Sequence, residues 1–213
     1  VRLALVAGGG AVKAYAFHLG VLRGLSADGF SFLGGARWDP TGGEPGGRQF
    51  DTYVGSSAGS CAVAALAGGR RVEELRQGLR GEVQGVPTFG YRTLFVPVAP
   101  HPLRYAARLR RRRKLGRLHP GHLLDLGGFF TTSGVEKYYR KYVLPTNRFA
   151  DLAPDLYITA TQVDGTRTVV FGPRDSLQEE GYDPGCAYYD NVPVSQAVAA
   201  AVAVPPVFSP YAI

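Results

Sequence analysis

Apolar and polar positions divide the first third of the chain into alternating short and long units. Val1–Ala7 is a short apolar run that stops at Gly8-Gly9-Gly10, the pattern of a buried strand meeting a tight turn. From Val12 to Leu25 the residues Ala14, Phe17, Leu19, Val21, Leu22 and Leu25 recur at helical spacing, and the segment closes near Asp28-Gly29. Residues 34–48 carry Gly34, Gly35, Gly42, Gly43, Gly46 and Gly47 with Pro40 and Pro45, which reads as a surface loop. Phe50–Val54 predicts a second strand, ended by Gly55. Ala58–Ala67, small and apolar, predicts a buried helix packed closely on a sheet. Val72–Leu79 reads as a more polar helix, Val135–Val143 and Gln196–Ala203 as helices, and Leu156–Ala160 and Thr168–Phe171 as strands. Residues 81–102 show no clear period. Strand, helix, strand, helix at the start implies a parallel sheet with helices on both faces.

Composition narrows the class. With 213 residues and 45% apolar positions, the chain can bury roughly 70% of its extended surface as one domain, with no need of a disulfide or metal. The uncharged stretch Val192–Ile213 is interrupted by Pro193, Pro205, Pro206 and Pro210, so no membrane span fits. Val1–Gly10 lacks the small-residue cleavage site of a signal peptide. Two cysteines, Cys61 and Cys186, exclude a disulfide framework and favour a reducing compartment. A cytoplasmic or peripheral-membrane location is expected.

Charge is concentrated. The net charge is +7, yet Arg104, Arg108, Arg110, Arg111, Arg112, Arg113, Lys114 and Arg117 form one basic segment without an acid. Outside 104–117 the chain is nearly neutral. Two readings stand: a solvated face or loop, or a dock for anionic lipid headgroups, each cation near the surface being worth about 1 kcal/mol. Leu103, Leu109, Leu115 and Leu118 suit an interfacial helix, with Arg110, Arg111, Arg112, Arg113 and Lys114 as membrane-binding candidates. Only Tyr105 is available for base stacking, so nucleic acid is not an expected partner.

The sharpest chemical signal is Gly55-Ser56-Ser57-Ala58-Gly59, a match to the G-x-S-x-G nucleophile elbow. That turn needs a strand before it and a helix after it, and glycines where a side chain would clash. Phe50–Val54 and Ala58–Ala67 supply the context, making Ser57 the candidate nucleophile. Gly8-Gly9-Gly10-Ala11, at a helix N-terminus, offers consecutive backbone N–H groups, with Gly9, Gly10 and Ala11 as candidate oxyanion donors. Lys13 in the first helical turn is a further candidate for a negative oxygen. The dinucleotide fingerprint fails at Lys13, where it needs a third glycine, and the Gly-Lys-Ser/Thr of a phosphate loop is absent. No metal-ligand spacing is present, His119 and His122 flanking Pro120-Gly121, and no cofactor is expected.

Together these residues resemble the patatin-like phospholipases. That family pairs a Gly-Gly-Gly loop with a G-x-S-x-G elbow some tens of residues later. His18-Leu19-Gly20-Val21-Leu22, Thr159–Asp164 with Val169–Phe171, and Ala201–Pro210 also look like its motifs. The resemblance implies a three-layer α/β/α fold with a mainly parallel central sheet, here a single domain over residues 1–213 that ends before the last family motif. It also implies a lipid acyl hydrolase acting on a phospholipid or other lipid ester through a Ser–Asp dyad. The aspartate of the family's Asp-Gly-Gly or Asp-Gly-Ala motif is expected beyond Ile213. Asp164-Gly165 reads instead as a hairpin turn between two strands. The chain departs from the pattern at Ala14, where the family has its last loop glycine, and carries one inserted residue. Two alternatives stay open: an α/β-hydrolase triad using His101, His119 or His122, and an inactive lipid-binding scaffold. His18 is expected to be a hydrogen-bonded core residue. Tyr138, Tyr139 and Tyr142 are expected either to line an acyl groove or to pack between helices.

Overall fold

In a computed structural model the described residues are 2–42, 47–98, 128–163, 165, 167–173 and 185–213. The chain begins with strand β1 (Leu3–Ala7), helix α1 (Ala11–Ala27) and strand β2 (Phe30–Phe32). Short strands β3 (Gly34–Ala36) and β4 (Asp39–Thr41) precede the long strand β5 (Arg48–Ser56). Helices α2 (Ala58–Ala67), α3 (Val72–Arg80) and α4 (Tyr91–Leu94) follow, then β6 (Val96–Pro97), β7 (Phe130–Thr131) and helix α5 (Ser133–Tyr138). Strands β8 (Asp155–Thr161), β9 (Thr168–Phe171) and β10 (Cys186–Tyr189) lead to helix α6 (Val194–Ala201).

The central sheet runs β1-β5-β8-β9-β10, with β2 pairing β5. β1, β2, β5 and β8 are parallel; β9 runs antiparallel to β8, and β10 parallel to β9. The result is a mainly parallel sheet flanked by helices. Ala7, Gly55 and Ile158 lie side by side, so β1, β5 and β8 present their C-terminal ends along one edge. At the far end Arg2 pairs with Asp155 at 2.6 Å and with Asp51 at 3.6 Å.

All ten residues of α2 are buried. Its alanines, Gly59 and Ser60 are small enough to bring its backbone against the sheet: a Cβ on Gly55 would stand 2.5 Å from Ser60 Cα. Val63 and Leu66 fill the remaining core, each worth about 2 kcal/mol of apolar burial. Two buried phenols find acceptors, Tyr53 donating to the Leu33 carbonyl at 2.8 Å and Tyr139 to the Cys61 carbonyl at 2.7 Å.

The segment expected to be a surface loop between residues 34 and 48 is partly structured. β3 and β4 pair antiparallel, and Gly34–Ala36 is buried. The glycines serve close approach: a Cβ on Gly34 would overlap the Leu66 carbonyl and lie 2.7 Å from Gly69 Cα. β2 and β10 were not evident from the pattern, both being short. The helix expected over Val135–Val143 is α5 followed by a π-helical turn at Tyr139–Val143. Helix α6 starts two residues early because Asn147, from a distant loop, accepts the Ser195 N–H at 2.8 Å. Among the described residues, no helix is long and apolar enough to cross a membrane. The basic segment 104–117, with Arg110, Arg111, Arg112, Arg113 and Lys114, lies outside the described residues.

Candidate active site

Ser57 is the single residue between β5 and α2, and its backbone sits at φ 50°, ψ −122°. Side chains rarely adopt that conformation, and holding it costs on the order of 1–3 kcal/mol. The flanking glycines make the turn possible. A side chain at Gly55 would meet Ser60 and Val63, and one at Gly59 would collide with the Ala7 carbonyl. Ser60 secures the far side, donating its hydroxyl and its N–H to the Ser57 carbonyl at 2.5 and 3.0 Å. Ser57 itself stays half-buried, reachable from outside. Nothing in the sequence pattern pointed to the Ser60 clamp.

The pairing of Ala7 with Gly55 brings the turn after β1 beside the turn after β5. Gly9 comes closest: a Cβ there would stand 3.1 Å from Ser57 Cβ and 3.7 Å from Ser57 Oγ. Gly10 (φ 139°) and Ala11 (φ 56°) follow with positive φ, so the chain reverses sharply before α1 begins. An alanine in that region is uncommon, and the first helical turn holds it there by the Ala14 N–H to Gly10 carbonyl bond at 3.2 Å. Ala14 packs tightly against this turn, since a Cβ on Gly10 would lie 2.8 Å from Ala14 Cβ. Lys13 is exposed on the first turn of α1.

The family model for patatin-like phospholipases matches residues 5–213. The chain belongs to that family. No curated protein matches the sequence. Membership in the patatin-like phospholipases supports lipid hydrolysis as its activity.

Other residues of this family member are placed as follows. His18 is only half-buried and bonds the Gly8 carbonyl through Nε2 at 2.8 Å, so it is hydrogen-bonded as expected but not a core residue. The connection after β1, not helix packing, claims its ring. Cys61, one helical turn past Ser57, is fully enclosed, and burial pushes its thiol up to about 12, which removes it as a competing nucleophile. Tyr138, Tyr139 and Tyr142 wall a cavity of about 40 Å³ with Tyr15 and Phe89. That is room for a few waters. Tyr138 and Tyr139 are buried against Phe89, as helix packing requires.

Asp51, Asp155 and Asp28 lie at the end of the sheet opposite Ser57, as the direction of β5, β8 and α1 dictates. Asp190 follows Tyr189, which the register sets level with Phe171, Ile158 and Gly55, three strands across the sheet from β5. Asp164, His101, His119 and His122 lie outside the described residues.

Proposed function

We propose that this protein is a serine esterase of lipid acyl groups, with Ser57 as nucleophile and the backbone N–H groups of Gly9, Gly10 and Ala11 as its oxyanion donors. The observation that carries the reading is the strained Ser57 backbone directly against Gly9. Ser57 Oγ attacks the ester carbonyl, and its proton passes to the aspartate of a Ser–Asp dyad. The negative charge that develops on the carbonyl oxygen is met by the loop donors at the positive end of α1. Collapse expels the alcohol with a proton from the aspartic acid and leaves the acyl group on Ser57. Water, deprotonated by the same carboxylate, then releases the fatty acid.

The substrate class is a phospholipid or related lipid ester at a membrane surface, and the single domain 1–213 docks there through Arg110, Arg111, Arg112, Arg113 and Lys114. An alkyl fluorophosphonate, followed by mass spectrometry of the labelled peptide, tests the reading in the full-length protein. The adduct is expected on Ser57 and absent after Ser57→Ala; an adduct elsewhere, or none, overturns it.

A further inference from the structure

The Gly8 carbonyl is held by a side chain for which the chemistry above has no use. His18 Nε2 lies 2.8 Å from that oxygen, and because a carbonyl only accepts, Nε2 carries the proton. His18 stands two turns into α1, and helical side chains lean towards the N-terminus. That lean lets it reach back to the loop ahead of the helix. We propose that His18 is a positioning residue for the glycine loop, fixing the Gly8 carbonyl so that the Gly9 N–H is aimed at an oxygen bound beside Ser57. The inference rests on Ser57 being the nucleophile.

A trans peptide holds the Gly8 carbonyl and the Gly9 N–H in one plane, pointing in opposite directions, so fixing one aims the other. Packing does not confine this peptide from the Gly8 side, because a Cβ there would meet nothing within 4 Å. Glycine also turns freely about both of its backbone bonds. The Gly8 oxygen lies close to Gly59, where a Cβ would stand 2.7 Å from it, and it accepts the His18 N–H as well. Gly9 then adjoins Ser57, so an orientation set on α1 reaches the elbow through one peptide unit.

The test is steady-state hydrolysis of a soluble p-nitrophenyl ester by the full-length protein, comparing His18→Phe and His18→Gln. Phe keeps a ring and loses the donor, whereas Gln supplies an amide N–H. His18→Phe is expected to lower kcat about tenfold or more, part of the 100- to 1,000-fold cost of losing an oxyanion donor outright. KM should stay within about twofold, the signature of an interaction made only in the transition state. His18→Gln should recover most of the loss. Wild-type kcat in His18→Phe, a loss carried by KM, or a loss that His18→Gln does not recover overturns the proposal. Ser57→Ala in the same assay separates the two claims. Hydrolysis that survives it removes the nucleophile reading, whereas its abolition beside an unimpaired His18→Phe removes only the role of His18.

Discussion

Gly9 and Ser57 are so close that a methyl group on the first would stand 3.1 Å from Cβ of the second. Ordinary carbon contacts begin near 3.5 Å, so Gly9→Ala has to move one turn or the other by a few tenths of an ångström. Gly9 packs on nothing else that would unfold the protein. We therefore expect turnover to fall on the order of 10- to 100-fold, since small misplacements of a reacting group are that costly. The melting temperature should change little. An alanine variant with unaltered kcat would show that the loop gives way without consequence.

Ser57→Gly separates strain from chemistry. Glycine adopts φ 50° freely, so the substitution should stabilise the fold by about 1 kcal/mol, roughly 2–4 °C for a chain of this size, while abolishing hydrolysis. Ser57→Ala should abolish hydrolysis with no gain, and Ser56→Ala should keep most activity. Calorimetry beside the ester assay reads both quantities.

Gly59→Ala should do the reverse of Ser57→Gly. Its Cβ would collide with the Ala7 carbonyl, where the wholly buried α2 meets the buried last residue of β1. A loss of about 3 kcal/mol is expected, at the upper end for overpacking. Chemical denaturation gives the number, and a change below about 0.5 kcal/mol, the usual surface range, would mean that β1 yields easily.

Alkali should unfold the protein through its buried acids. Burial raises the Cys61 thiol from 9.0 to about 12 and raises the phenols of Tyr15, Tyr53 and Tyr139 well above 10.0. In the unfolded chain these groups lose protons at their ordinary values, so above about pH 9 the unfolded state binds fewer protons and stability falls as pH rises. The contribution is complete below pH 9 and declines most steeply above 10, where the phenols join the thiol. Urea midpoints between pH 8 and 11 test this, and Tyr53→Phe should make the decline shallower.

Reversing Arg110, Arg111, Arg112 and Arg113 to Glu should abolish sedimentation with vesicles that contain anionic lipid. Wild-type binding should weaken with salt as the Debye length shortens from about 10 Å at 0.1 M. Hydrolysis of a soluble ester should persist. Undiminished vesicle binding by the reversed protein would return the segment to a solvated face.

The sequence was most legible where side-chain size alone decides structure. Ala58–Ala67 was bounded to the residue, because an unbroken run of small residues after a G-x-S-x-G turn has one way to pack. Thr168–Phe171 was also exact in its bounds, as a β-branched run between polar ends. Glycine misled at residues 34–36, where it marks close contact with Gly69 instead of a surface loop. The nearness of Gly9 to Ser57 depends on the parallel pairing of Ala7 with Gly55, a relation between distant segments that no local pattern carries. For the same reason His18 could be expected to have a partner, but not that the partner would be Gly8.

Helix α2 exposes none of its ten residues, which bears on how such a protein diversifies. An enlarged side chain on its sheet-facing side pushes on β5, β1 or β8, and β5 ends at the residue that precedes Ser57. The helix therefore acts as a fixed datum from which the position of the hydroxyl is measured. Substitutions that adapt the protein to a new lipid have to accumulate elsewhere, on surfaces that can change shape without moving that datum. Random mutagenesis selected for a new ester preference should leave 58–67 almost empty of accepted changes.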